Sequence, residues 1–227
     1  MTTPGPRTVR LFVAVELPDD VRDALDAAVD ALQRAGVDEG LRWVRPEGIH
    51  ITLKFLGATP EPSVPAVEDA LRRALAGAKP FELQPEGFGA FHGGRNPHFR
   101  RQFPREAYPT NLRVLWVGVA GDTGALAGLA SRVEGALAPM GFPTEKRAFS
   151  AHLTLARVRD DATPDAMRRL SAALEPFLSK SRVTVGRYDP ARVPRFPAFR
   201  VERVSLMRST LQRGGAVYDA IAVVPLD

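Results

Sequence analysis

The sequence has 227 residues and no cysteine. Disulfides and thiolate chemistry are therefore excluded, and so are the commonest structural zinc sites. No apolar run approaches the roughly 18 residues that cross a bilayer, and the first ten residues, MTTPGPRTVR, lack the apolar core of a signal peptide. We expect a cytoplasmic protein, not bound to a membrane, whose chemistry depends on histidine, carboxylates, hydroxyls or cations.

Lysine is scarce and occurs only at positions 54, 79, 146 and 180. Arginine therefore supplies most of the net charge of +5, and its planar guanidinium suits phosphate oxygens. This favours an anionic partner. Arginine richness beside alanine richness is equally typical of the base composition of a genome, so both explanations stay open.

Hydrophobic residues are plentiful, at 44% of the chain, which is enough for the core of one large domain or two small ones. Amphipathic stripes predict four helices. Asp19 or Asp20 would cap the first and Ser63 the second, while Asp122 or Thr123 would open the third and Thr163 the fourth. Apolar and β-branched segments predict strands at residues 10–17, 41–44, 50–56, 81–84, 113–120, 152–158, 182–188, 199–209 and 218–226. The elements alternate without any linker-like stretch.

Histidine occurs only four times, and two of the four stand in the same short frame. His50 lies in IHITL and His152 in AHLTL, each with a threonine two positions later. From the composition of this chain, the odds of such a pair arising by chance are on the order of 1 in 1000. The pair is therefore a candidate functional site, whereas either frame alone would be a weak indication.

Both frames are short and rich in β-branched and apolar residues, which favours strands. Successive side chains of a strand point to opposite faces. In the first frame, this parity predicts one face with His50, Thr52 and Lys54 and a core face with Ile51, Leu53 and Phe55. The second frame repeats the pattern, with His152 and Thr154 together on the polar face.

The two frames belong to a longer repeat. LFVAV at residues 11–15 matches LWVGV at residues 115–119 with an offset of 104, whereas the two histidines are offset by 102. The two copies comprise approximately residues 9–90 and 112–227. A duplicated unit of this length predicts pseudo-two-fold symmetry, which would bring the two imidazoles face to face across a central cleft.

Two facing histidines suit displacement at phosphorus. The attacking oxygen must lose a proton while the leaving oxygen, on the opposite side of the phosphorus, gains one. A neutral imidazole and an imidazolium perform both transfers without a metal, and threonine hydroxyls can donate hydrogen bonds to the non-bridging oxygens. The pattern therefore indicates phosphoester chemistry that needs neither metal nor cofactor.

The tandem HITL and HLTL motifs resemble those of the 2H phosphoesterase superfamily, and within it the LigT-like RNA 2′,3′-cyclic phosphodiesterases. Further similar segments are RLFVAVELP, LKFLG, LWVGV, the Arg157 that follows HLTLA, and the closing SLMRSTLQRGGAVYDAIAVVPL. The resemblance covers nearly the whole chain. It implies a single domain of residues 1–227 with a bilobal α+β fold, an antiparallel sheet in each lobe, helices outside, and both motifs lining a central cleft.

The resemblance also implies an activity, the hydrolysis of a terminal 2′,3′-cyclic phosphate of RNA to a 2′-phosphate. His50 would be the proton donor to the departing 3′ oxygen, and His152 would be the proton acceptor that activates water. Thr52 and Thr154 would hold phosphate oxygens. The expected substrates are RNA 3′ ends or cyclic nucleotides, and a monomer is expected.

A cation near the phosphate is also implied by the resemblance, which places it at Arg157. Strict strand parity puts this residue on the face opposite His152, so a bulge or a strand end would be needed. Lys54 is the alternative that parity favours, because it shares a face with His50.

One segment departs from the family, the basic loop at residues 91–111. Aromatic residues interleaved with arginine suit contact with single-stranded RNA, and a solvated insertion explains the segment equally well. A metal site at His92 and His98 is not expected, because no third histidine or carboxylate converges on them. The alternatives for the whole protein are a 2′-5′ RNA ligase, a 2′-5′ phosphodiesterase and a catalytically silent RNA-binding module.

Overall fold

A computed structural model describes residues 7–92, 112–180, 194–212 and 215–227. Within these ranges the strands are β1 (Thr8–Glu16), β2 (Leu41–Trp43), β3 (His50–Pro60), β4 (Phe81–His92), β5 (Leu112–Gly121), β6 (His152–Val158), β7 (Phe199–Val201), β8 (Arg203–Gln212) and β9 (Gly215–Pro225). The α-helices there are α1 (Asp19–Arg34), α2 (Val64–Leu75), α3 (Thr123–Leu137) and α4 (Pro164–Lys180). Two predictions, the strand at 182–188 and most of the basic loop at 91–111, lie outside the described residues.

All four predicted helices form, but their ends differ from the prediction in one case. The N-cap of α1 is Pro18, so Asp19 and Asp20 lie in the first turn of the helix and do not cap it. At α4 the predicted cap is present, since the backbone N–H of Ala166 donates to Thr163 Oγ1 at 3.2 Å. None of the helices described here is long and apolar enough to cross a bilayer.

The strands form one antiparallel sheet in the order β7-β4-β5-β6-β3-β1-β8-β9, with β2 also paired to β6. One large cluster of buried side chains joins the helices to one face of this sheet. On the other face lies a small second cluster of Phe12, Ala14 and Met207, with Tyr218 packed against it. The α+β class with antiparallel pairing is confirmed, and the two-lobed shape stays a prediction.

The two sequence repeats exchange strands in the sheet. The strand β4 closes the first repeat but pairs with β5, which opens the second. In the same way β8, from the second repeat, pairs with β1 from the first. Each half of the sheet therefore contains strands of both repeats, so neither repeat can complete its half alone.

The two halves of the sheet meet at the motif strands. The pair that joins β3 to β6 is Ile51 with Leu153, which are equivalent residues of the two motifs. Because the strands are antiparallel, a pair of equivalent residues marks a local two-fold axis. The pairing of β1 with β3 and of β5 with β6 thus repeats with an offset of 102, and the offset of 104 for the first strands does not hold there. The extent of the two repeats stays a prediction. Ala14 pairs with Thr52, and Trp116 pairs with Thr154.

Each motif strand contains a bulge at the same place. Ala14 and Val13 pair with Thr52 and Lys54, so Leu53 is an extra residue in β3. On β6 the corresponding extra residue is Leu155, as the register shift against β5 shows. A bulge turns every following side chain to the other face of the sheet.

The bulge corrects the parity prediction for the first motif. Lys54 is only 5% exposed and lies with the core, whereas Phe55 is 67% exposed and lies 6.1 Å, between ring centroids, from Phe12. The Lys54 Nζ donates to Glu134 Oε1 on α3 and to the carbonyl of Pro143, both at 2.7 Å. The prediction that Lys54 shares a face with His50 is therefore wrong.

The buried ammonium of Lys54 should contribute to stability. We expect the substitution Lys54→Met to lower the free energy of unfolding by about 2 to 3 kcal/mol, because it leaves the Glu134 carboxylate and the Pro143 carbonyl without their donor. Urea unfolding followed by circular dichroism measures the change. The control is Lys79→Met, at an exposed lysine, which should change stability little. Equal stability of the two variants would contradict the structural role of Lys54.

Candidate active site

The two motif histidines are held in the same way. His50 and His152 are both half-buried and lie on the sheet face opposite the main core. The Nδ1 atom of each ring lies 2.8 Å from the carbonyl oxygen two residues earlier, Gly48 for His50 and Ser150 for His152. A carbonyl only accepts, so each Nδ1 carries the hydrogen and donates. Each neutral ring is thus left with an unprotonated Nε2.

The two threonines lie on the same face as the histidines. Thr52 and Thr154 are half-buried and alternate with the buried residues Ile51 and Leu153. The antiparallel pairing of these two buried residues places each threonine beside the histidine of the other motif. Two imidazoles and two hydroxyls therefore surround the local two-fold axis.

Aromatic rings enclose each imidazole, but the rings differ between the two halves. His50 stacks on Phe12 with ring centroids 4.7 Å apart, and Tyr218 packs edge-on against it at 5.2 Å. Around His152 the neighbours are Phe91, edge-on at 4.8 Å, and Trp116 at 6.4 Å. These contacts fix both rings and reduce their access to water.

Burial lowers the pKa of both histidines. The pKa of His50 falls to about 4, chiefly because burial disfavours the charged ring, while the hydrogen bond to Gly48 opposes the fall. For His152, burial again lowers the pKa, and the hydrogen bond to Ser150 again opposes it. Arg157 also disfavours the charge on both rings. Without a bound anion, both imidazoles are therefore neutral near pH 7.

The bulge at Leu155 brings Arg157 to the face of the histidines. Arg157 is exposed, and its pairing partners are Val114 on β5 and Arg42 on β2. The bulge that the sequence analysis required is therefore present. Phe55 occupies the equivalent position after the first motif, so the site is asymmetric, with a cation at one end and a phenyl ring at the other.

The other residues singled out in the sequence do not join this site. The Lys54 ammonium is bound to α3, as described above, and His92 is exposed at the end of β4. His98 and the arginines at 95, 100, 101 and 105 lie outside the described residues. In the part of the chain that the structure covers, no group of histidines and carboxylates could hold a metal ion.

Sequence reasoning missed the aromatic enclosure of the histidines. Phe12 and Tyr218 come from β1 and β9, which are about two hundred residues apart in the chain and are brought together by β8. The pairing of β1 with β8 is a long-range contact that no local pattern encodes. The alternation of Phe12 and Ala14 along β1 was the one available signal, since it indicates a second apolar face.

A family model described as LigT-like phosphoesterase matches residues 15–99 and 117–189 of the chain. The RNA 2′,3′-cyclic phosphodiesterase of Methanothermobacter thermautotrophicus is 31% identical over 218 residues, covering 96% of this chain and 99% of its own. The protein of the same name from Aeropyrum pernix is 32% identical and covers 85% of this chain and 89% of its own.

Two solved structures share the fold. A protein of Thermus thermophilus has a TM-score of 0.64 at 24% identity, and the alignment covers 96% of this chain and 97% of that one. Escherichia coli LigT complexed with 3′-AMP has a TM-score of 0.65 at 22% identity, with 97% and 99% covered. At these identities the similarity shows a common fold.

The hydrogen bonds to Gly48 and Ser150 predict the protonation of both rings. Nitrogen-15 NMR of the histidine side chains should find both neutral rings protonated at Nδ1, with His50 titrating near pH 4. Inorganic phosphate should raise both pKa values, because an anion between the rings stabilises their charged forms. A His50→Gln variant assigns the two signals. Rings protonated at Nε2, or a His50 signal that titrates above pH 6.5, would contradict this geometry.

Proposed function

The chain belongs to the LigT-like phosphoesterase family, and from that premise we propose that it hydrolyses the terminal 2′,3′-cyclic phosphate of RNA to a 2′-phosphate. The observation that carries the proposal is the pair of unprotonated Nε2 atoms on one sheet face, each fixed by a backbone carbonyl behind it. Relatives covered over most of their length are named RNA 2′,3′-cyclic phosphodiesterase, which supports the choice of substrate.

In this mechanism the two histidines act from opposite sides of the phosphorus. A water oxygen forms a bond to phosphorus as its proton passes to Nε2 of His152. The bond from phosphorus to the 3′ oxygen breaks as that oxygen takes the proton from Nε2 of protonated His50. The phosphate stays on the 2′ oxygen, and exchange with solvent restores both rings.

The low pKa of His50 supports its role as donor. Because this pKa is lowered to about 4, chiefly by burial, the protonated ring is a strong acid and so a good donor to a poor leaving group. In the empty site this ring is neutral near pH 7. The negative charge of the bound phosphodiester favours its protonation, so substrate and proton bind together.

The remaining polar groups of this face would hold the non-bridging oxygens. The hydroxyls of Thr52 and Thr154 flank the axis between the histidines, where the phosphate would sit. The Arg157 guanidinium, which the bulge brings to the same sheet face, would balance the charge that develops on the phosphate. We assign the family's cation to Arg157, because Lys54 is bound to Glu134.

Proton transfer and charge balance are thus supplied by side chains, so the proposed reaction needs no metal and no cofactor. A binding module without catalysis would not require two fixed rings with free Nε2 atoms. The same groups would also catalyse the formation of a 2′-5′ bond when the 5′-hydroxyl of a second strand replaces water, because its proton would pass to His152 while the bond from phosphorus to the 3′ oxygen breaks as before.

Removal of either imidazole should abolish most of the turnover. We expect His50→Ala and His152→Ala each to lower kcat on a 2′,3′-cyclic nucleotide by about 10²- to 10⁴-fold, since each removes one proton transfer. The matched control is His92→Ala, which removes an exposed imidazole at the end of β4 and should leave kcat unchanged.

Thermal melting of the three variants separates loss of chemistry from loss of the fold. A folded His50→Ala protein with full activity would rule out the assignment of the donor. Activity that depends on His92 as strongly as on the motif histidines would place the chemistry elsewhere.

A further inference from the structure

A groove of about 590 Å³ opens beside His50. It lies between β2, with the turn that follows it, and the end of the hairpin formed by β8 and β9. The side chains that define it are Arg42, Trp43, Arg45, Arg157, Leu211 and Tyr218. We call it the arginine groove.

The arginine groove is continuous with the candidate active site on the side of the proton donor. Gly48, whose carbonyl accepts from His50, lines the groove, and so does Tyr218, which packs edge-on against the same ring. In the proposed reaction His50 protonates the 3′ oxygen, which remains part of the terminal ribose. The ribose and all nucleotides upstream of it therefore lie on the side of His50, where the groove begins, and water approaches from the side of His152.

The positive charge of the groove exceeds what the scissile phosphate needs. Arg42 and Arg157 face each other directly in the pairing of β2 with β6, an arrangement in which like charges repel. Across the part of the chain that the structure describes, no ion pair joins Arg42, Arg45 or Arg157 to a carboxylate. The terminal cyclic phosphate carries one negative charge, and Glu47 is the one carboxylate among the residues that line the groove, so the three guanidinium groups can bind further phosphates.

The groove also has an apolar wall opposite its arginines, formed by Leu211, which is 70% exposed, and Tyr218. Trp43 follows Arg42 in β2, pairs with the buried Ala156 and packs against the main core, and its Nε1–H donates to Asp38 Oδ1 at 2.7 Å. Arginines that reach phosphates, interleaved with side chains on which bases stack, are typical of sites for single-stranded RNA.

We propose that the arginine groove binds the nucleotides immediately upstream of the terminal cyclic phosphate, with Arg42 and Arg45 contacting their backbone phosphates and the wall of Leu211 and Tyr218 contacting a base. This inference rests on the proposed function, because the position of the ribose follows from the role of His50. If the groove binds these nucleotides, a single-stranded RNA end is a better substrate than a free cyclic mononucleotide. RNA recognition then depends on residues of β2 and the turn that follows it, which lie outside the basic loop.

The test measures hydrolysis of two substrates, a pentanucleotide and a cyclic mononucleotide, by a double variant and by a control variant. For the double variant Arg42→Gln/Arg45→Gln, KM for a pentanucleotide ending in a 2′,3′-cyclic phosphate should rise about 10- to 100-fold with kcat retained. Hydrolysis of 2′,3′-cyclic AMP, which is too short to fill the groove, should change less than about twofold. The slope of log K against log salt for pentanucleotide binding should become less negative by about 1.4, because two phosphate contacts are lost. The matched control is Arg73→Gln, at an exposed arginine of α2, which should alter neither substrate.

A binding measurement separates this inference from the proposed function. The anisotropy of a 5′-labelled pentanucleotide ending in a 2′-phosphate reports binding without turnover. Weaker binding to the double variant than to the Arg73→Gln control supports the groove, even if the wild-type protein hydrolyses no cyclic phosphate. If the wild-type and double-variant proteins bind the pentanucleotide equally and have the same pentanucleotide KM, the groove does not bind RNA. The proposed hydrolysis then still stands if 2′,3′-cyclic AMP is cleaved.

Discussion

The geometry of the site depends on one backbone pairing, between Ile51 and Leu153. It joins the two halves of the sheet at equivalent residues, so each motif strand presents its histidine and threonine to the same face. The exchange of β4 and β8 between the halves anchors this junction from both sides, because each half of the sheet needs strands from both repeats. The two imidazoles are therefore positioned by the whole sheet and not by a flexible loop.

Departures from symmetry make this duplicated site suitable for an asymmetric reaction. The two rings share the same carbonyl contact, yet different aromatic side chains enclose them, Phe12 and Tyr218 at His50 but Phe91 and Trp116 at His152. The bulges place Arg157 at one end of the site and Phe55 at the other. A cyclic phosphodiester is itself asymmetric, with the nucleoside on one side of the phosphorus and water on the other. The arginine groove lies on the side of His50, where the proposed mechanism places the nucleoside.

Local patterns in the sequence predicted the helices, most strands and the shared face of histidine and threonine, because these follow from side-chain periodicity within one element. The fate of Lys54 could not be predicted in this way. Its burial follows from a bulge that β3 forms against β1, and its partner Glu134 is eighty residues away. The same limit applies to the groove, which unites β2 with a hairpin about 170 residues later. What periodicity cannot show is which distant strands pair, and with what register.

In the proposed reaction, two imidazoles without a metal direct the cleavage of one of the two ring bonds in a 2′,3′-cyclic phosphate. Phosphorus-31 NMR of the product from 2′,3′-cyclic AMP, formed in the presence of EDTA, reports both turnover and the bond that breaks. We expect the 2′-phosphate as sole product, because His50 protonates only the 3′ oxygen. We expect EDTA to leave the rate unchanged, because no step needs a metal. A 3′-phosphate, a mixture of both isomers, or activity that EDTA abolishes and zinc restores would contradict the proposed reaction.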